Sequence, residues 1–210
     1  MSASAMLLLV AAASLHATWN ALTKRARDPF AFLWLSMSVA VLTLAPVAIV
    51  IAVGEEAFDP GAALGPILGS GAVHAMYFVA LAGAYRHGDL SIVYPIARGL
   101  GVGLVPLLAA VFLAERIADT GALGIAIVVV GIAVTGFGAR TKTVPPTAAR
   151  APRRGVLLAI LTGVLIATYS LLDRTGARAM HPIPFLVLTT ALALAGSAPL
   201  ALARRAALRA

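Results

Sequence analysis

The sequence predicts an all-α polytopic membrane protein, a helix bundle of about seven transmembrane helices. Three observations carry that expectation. Of 210 residues, 61% are hydrophobic and only 11% are charged, whereas a soluble globular chain carries about 25% charged residues. Uncharged stretches of roughly 20 residues, the length that crosses ~30 Å of hydrocarbon at 1.5 Å per residue, recur along the whole chain. The connections between them are mostly short and charged, and mean hydropathy is strongly positive at +0.98.

Charges set the limits of each helix. The first covers residues 6–22. Its start lacks the basic n-region of a signal peptide, and six more apolar segments follow, so it reads as a retained span. The second, 30–53, lies between Lys24/Arg25/Arg27/Asp28 and Glu55/Glu56/Asp59. The third, 65–85, closes on Arg86-His87-Gly88-Asp89. The fourth, 90–113, runs into Glu115, Arg116 and Asp119. A fifth, 121–139, precedes the longest connection, 140–154, which holds Pro145-Pro146 and five basic residues and reads as a linker. Helices at 155–172 and 183–203 complete the series.

Composition excludes several chemistries. With no cysteine, disulfides, thiol catalysis and cysteine-ligated metals are ruled out. The net charge of +8 would suggest nucleic acid in a soluble chain. Here the basic residues fall between apolar segments, so lipid head groups and topology explain them and no nucleic-acid partner is expected.

An internal repeat is visible. Shifted by 150 residues, Ala17-Thr18-Trp19-Asn20 falls on Ala167-Thr168-Tyr169-Ser170, and Lys24 falls on Arg174. With three residues inserted in the next loop, Pro29 meets Pro182, and Phe32-Leu33 meets Phe185-Leu186. The chain then divides into a five-helix repeat (1–139), a linker (140–154) and the first two helices of a second repeat (155–210). Five is odd, so the second copy enters the membrane inverted, an arrangement that many secondary transporters use to alternate access to a midplane site. The second copy carries only two helices. The chain therefore reads as a truncated form of a ten-helix protein.

The segment His16-Ala-Thr-Trp-Asn-Ala-Leu-Thr-Lys24 resembles the EamA branch of the drug/metabolite transporter superfamily. So do Tyr85-Arg-His-Gly-Asp-Leu-Ser91 leading into Tyr94-Pro-Ile-Ala-Arg98-Gly, and Glu115-Arg116 after the small-residue-rich fourth helix. The resemblance implies ten helices in two inverted halves around a central cavity, in a bacterial cell (inner) membrane. It implies a permease or exporter of small metabolites, with no cofactor. The missing last three helices leave a second expectation open: a non-transporting protein, or a subunit completed by another chain, a second copy included.

Polar groups inside a bilayer are costly, so each is a candidate for function. Arg98 lies about eight residues, ~12 Å, into the fourth helix, with Tyr94 one turn earlier and Pro95 freeing the carbonyl of Ser91. A guanidinium there suits a carboxylate or phosphate, bound in two-pronged fashion, from an anionic or zwitterionic metabolite. The competing reading is that Arg98 reaches the interface or pairs with Asp89 or Glu115. His16, Asn20 and Lys24, at i, i+4 and i+8, form one stripe flanked by Trp19. It suits a cavity wall or, for Lys24 and Trp19, an interfacial anchor. His74 and Tyr77, with Ser70 a turn before, form a stripe on the third helix; Tyr169 and Ser170 repeat the first-helix pattern on the sixth. Asp173, at that helix's expected end, reads as interfacial.

Gly65/Gly69 and Gly99/Gly103 are GxxxG pairs and are expected to let helices approach closely. Gly99-Leu-Gly-Val-Gly lies within an apolar helix and lacks the strand–turn–helix setting of a nucleotide loop. There is no HExxH, GxSxG, Walker loop or paired-aspartate motif, so neither a metal site nor an enzyme is expected. With the N terminus outside, twelve basic residues face the cytoplasm and three (Arg116, Arg174, Arg178) face outwards. The positive-inside rule favours that orientation, while the ten-helix relatives suggest the opposite.

Overall fold

The computed structural model describes residues 3–54, 60–138 and 153–204. Those residues form seven α-helices and no strand: α1 (Ala3–Arg25), α2 (Pro29–Gly54), α3 (Pro60–His87), α4 (Leu90–Phe112), α5 (Asp119–Gly138), α6 (Arg153–Ala179) and α7 (Pro182–Ala203). Six of them, all but α5, are long and apolar enough to span a membrane. The fully described stretch of α5, Asp119–Gly131, is apolar but shorter. The chain is a multi-pass helical membrane protein with six such spans among the described residues, against the seven expected. The 140–154 linker lies outside the described residues except for its last two, which begin α6.

Helix starts follow from local chemistry. The Asp28 carboxylate accepts the backbone N–H groups of Phe30 (2.9 Å) and Ala31 (3.1 Å), and Pro29 supplies a preset first residue for α2. In the same way His181 Nδ1 accepts from Ile183 N at 3.2 Å before α7. The expected end of the sixth helix is corrected. It continues past Leu172 to Ala179, because Asp173, Arg174 and Arg178 are charged without being helix breakers and the next proline is Pro182. At the end of α4, Ala114 takes φ 51°, a left-handed turn that ends the helix before Glu115.

The bundle has a small-residue centre and an oily exterior. Helices α3, α4, α6 and α7 pack around Tyr85, Val93, Ala97, Ala159, Ile166 and Ala193, with Phe30 and Leu33 of α2 closing one side. Leu42, Val50, Val53, Val111 and Phe112 point outwards, as expected where the solvent is lipid. Buried hydroxyls are satisfied locally: Thr162, Thr189 and Ser197 donate to the carbonyls of Leu158, Phe185 and Ala193 four residues back.

The closest approaches are at glycines. A Cβ on Gly163 of α6 would lie 2.9 Å from the Ala97 carbonyl oxygen and 2.6 Å from Leu100 Cβ of α4. A Cβ on Gly155 would lie 2.8 Å from the His87 carbonyl oxygen at the end of α3. The GxxxG expectation is corrected in part. Among the described residues no atom lies within 4 Å of a Cβ built on Gly65, and Gly69 meets only the Leu172 side chain, at 3.3 Å. Gly99 and Gly103 are buried, and a Cβ on Gly103 would lie 3.0 Å from Val129 of α5.

Helix alternation and these contacts put Lys24, Arg25, Arg27, Arg86, Arg153, Arg154 and Arg204 at one end of the bundle and Arg116, Arg174 and Arg178 at the other. At the basic end, Arg204 pairs with Asp28 at 3.2 Å and lies over the Phe30 ring, tying the finish of α7 to the start of α2.

Candidate functional site

The candidate site begins where α1 meets α3 and α4. Lys24 reaches past the end of its own helix and donates to the carbonyls of Tyr85 (2.5 Å) and Gly88 (2.7 Å). Those carbonyls belong to the last turn of α3 and the residue after it, which lack intrahelical partners and carry the negative end of the helix dipole. Lys24 is therefore a cap on α3 at the basic end of the bundle. One turn deeper, Asn20 Oδ1 accepts the Tyr85 phenol at 2.5 Å, and Asn20 Nδ2 donates to the His16 carbonyl at 2.7 Å. Asn20 and Tyr85 are both almost fully buried.

A turn further along the stripe is His16, whose Nε2 accepts from Arg98 Nη2. An arginine only donates, so that histidine nitrogen carries no proton in this arrangement. The guanidinium also lies 5.8 Å from the centre of the Tyr94 ring. Among the described residues Arg98 has no ion pair. Glu115 is engaged by Arg174 of α6, and Asp89 is exposed at the start of α4. Trp19 lies 5.9 Å from the His16 ring and donates to Ser36 Oγ of α2 at 3.2 Å. The predicted stripe on α1 and the predicted arginine on α4 thus meet, and they meet through His16.

A second group lies further from the basic end, between α3 and α6. The His74 ring stacks on Tyr169 at 4.0 Å, and Tyr77 meets both edge-on, at 6.1 Å and 5.5 Å. The Ser70 hydroxyl donates to Asp173 Oδ1 and lies 3.1 Å from His74 Nδ1. Tyr77 and Tyr169 share one packed core with Tyr94, whose ring lies 5.8 Å from the Arg98 guanidinium, so the two groups form one polar track through an otherwise apolar bundle. The Ser170 hydroxyl, next to Tyr169, donates to the Ile166 carbonyl of its own helix at 2.7 Å.

Asp173, which sequence reasoning left out of the site, lies within α6, beside Ser70 and His74. The usable signal was its spacing of four from Tyr169, which puts the two on one helix face. Among the described residues no cluster of three or more histidine, aspartate or glutamate side chains is placed to hold a metal ion.

Chemically the track offers an intramembrane cation with unused donors, two histidines, three phenols and one carboxylate, lined up between the ends of the bundle. No protein-family model, curated protein or solved structure matches the chain.

Proposed function

We propose that this chain is a solute carrier of the EamA type that moves a small metabolite bearing a carboxylate or phosphate, with Arg98 as the anion-recognising group. The observation that carries this reading is Arg98 itself. It is a guanidinium within a spanning helix whose contacts are a neutral imidazole nitrogen and an aromatic face, with no carboxylate partner among the described residues. A cation within a membrane span and without an anion is costly, and a solute anion supplies the missing partner through two parallel N–H donors. His16, Tyr94 and Trp19 would form the walls of the site.

Helix registers support the repeat that the family implies. The 150-residue offset that aligns Trp19-Asn20 with Tyr169-Ser170 sets both pairs within helices, α1 and α6. α2 and α7 both start on the aligned prolines, Pro29 and Pro182. The excess of basic residues at the end that carries Lys24, Arg86 and Arg204 supports a cytoplasmic assignment for it, with the N terminus outside.

The test is transport by the reconstituted full chain. Liposomes holding the protein take up or exchange a radiolabelled carboxylate, phosphate ester or amino acid from a defined panel, and protein with Arg98→Ala does not. A chain that moves no solute under any imposed gradient refutes the proposal.

A further inference from the structure

The solute site leaves one group of titratable side chains unused. Asp173 lies about six residues, ~9 Å, before the end of α6, on the side of the bundle away from the basic connections. Its Oδ1 accepts the hydroxyl of Ser70, a residue with 0% exposure. His74 Nδ1 is 3.1 Å from that same hydroxyl oxygen and 3.0 Å from the Ser70 carbonyl oxygen. A carbonyl oxygen can only accept, so Nδ1 carries a hydrogen, shared between the two oxygens of Ser70. The hydrogen bonds then run in one direction, from His74 to Ser70 to Asp173, and end on a carboxylate.

Nothing neutralises that carboxylate by direct pairing. Among the described residues Asp173 has no ion pair; its neighbour Arg174 is held by Glu115, and Arg98 is turned to His16. The ionisable groups on the helices around it are His74, Tyr77 and Tyr85 on α3, Tyr169, Arg174 and Arg178 on α6, Tyr94 and Arg98 on α4 with Glu115 beyond its end, and His16 on α1; Lys24, Arg25, Arg86, His87, Arg153 and Arg154 lie at the opposite end of the bundle. No ionisable residue occurs along α2 or α7, and α5 contributes only Asp119 at its start. An unpaired carboxylate within a membrane span is relieved by taking up a proton.

We propose that Asp173, Ser70 and His74 form a proton-binding site, and that proton uptake there is coupled to solute movement at Arg98. The step is acid–base only: the carboxylate gains a proton from water at the less basic end and gives it up later, with no covalent bond to carbon changed. Coupling runs through Tyr169, which stacks on His74 at 4.0 Å, and through Tyr77, which shares one packed core with Tyr94, the ring that lies 5.8 Å from Arg98. The coupling half of this inference rests on the solute-carrier reading; the proton site does not.

The experiment follows the carboxylic-acid C=O stretch of the full chain in liposomes by infrared spectroscopy during acid titration, with no solute present. A band that grows on acidification is expected, absent from Asp173→Asn and displaced in frequency in Ser70→Ala, where the carboxyl loses its hydroxyl partner. A band that persists in Asp173→Asn overturns the site, as does an equal spectral change caused by sodium at constant pH. Should Asp173→Asn fail to fold, Ser70→Ala decides alone: a band that does not move refutes the assignment. Since no solute enters the cuvette, this result is separate from any failure of anion recognition at Arg98. For the coupling, an imposed proton gradient drives solute accumulation by the wild type; equal accumulation by Asp173→Asn would refute it.

Discussion

Glu115 pairs with Arg174 across the gap between the end of α4 and α6, and not with Arg98. The pair lies at the less basic end of the bundle, whereas Arg98 is only eight residues from the other end of α4. Both partners of that pair are more than a third exposed, where ion pairs contribute ~0–1 kcal/mol. Glu115→Gln is therefore expected to change unfolding stability by less than about 1 kcal/mol and to leave anion binding unchanged, as read by calorimetric titration. A large gain in anion affinity would show that Glu115 competes for Arg98 after all.

Arg98→Ala removes the charge and the hydrogen-bond fork together. Charge-assisted bonds are each worth about 1.5–3 kcal/mol, so binding of a carboxylate or phosphate solute is expected to weaken by ~10–100-fold or more. Expression and melting temperature should remain near wild type, because Arg98 is bonded only to half-exposed or exposed neighbours. Arg98→Lys keeps the charge and loses the fork, and should fall between the two.

Packing gives a contrast between two glycines that look alike in the sequence. Gly163→Leu forces a side chain into the Ala97 carbonyl and Leu100, and should lower folded yield and cost at least the ~1–3 kcal/mol typical of overpacking. Gly65→Leu meets open space and is expected to be tolerated or mildly stabilising, since a glycine within a helix is replaced. Equal yields for the two variants, measured by size-exclusion chromatography, would contradict the packing described.

Tyr85→Phe deletes a hydroxyl and leaves the buried Asn20 Oδ1 without its donor. Hydrogen bonds between membrane helices average ~0.6 kcal/mol and reach ~1.7 kcal/mol, and a stranded buried acceptor lies at the upper end. A loss of about 1–2 kcal/mol in denaturant unfolding is expected. The double variant Tyr85→Phe/Asn20→Leu, with no orphan left, should recover part of it.

Much of this architecture was readable before any coordinates. Low charge and repeated apolar stretches place the helices, and the depth of Arg98 along α4 follows from counting residues at 1.5 Å each. The His16–Asn20–Lys24 stripe was readable too, because helical periodicity fixes which residues share a face. What spacing cannot give is the partner. Gly65/Gly69 satisfy GxxxG as well as any pair, yet among the described residues no atom comes within 4 Å of a Cβ at Gly65, whereas Gly163, in no such motif, meets the α4 backbone. The contacts of Asp173 come from α3, a hundred residues away in sequence, and no spacing within α6 discloses them. Nor does spacing show that the Ser170 hydroxyl donates to its own backbone.

The grip of α1 on Tyr85 has a mechanical consequence. Lys24 holds the main-chain carbonyl of that residue while Asn20 holds the tip of its side chain. A joint fastened by one bolt swivels, but one fastened by two bolts set apart does not. α1 and α3 are clamped at a fixed angle at this end, and His16 is carried with them as part of a rigid frame. Any change in the gap between His16 and Arg98 must then come from α4, whose hydrogen-bond ladder is already broken at Pro95, one turn short of the arginine. The hinge and the gripping hand lie on the same short piece of helix.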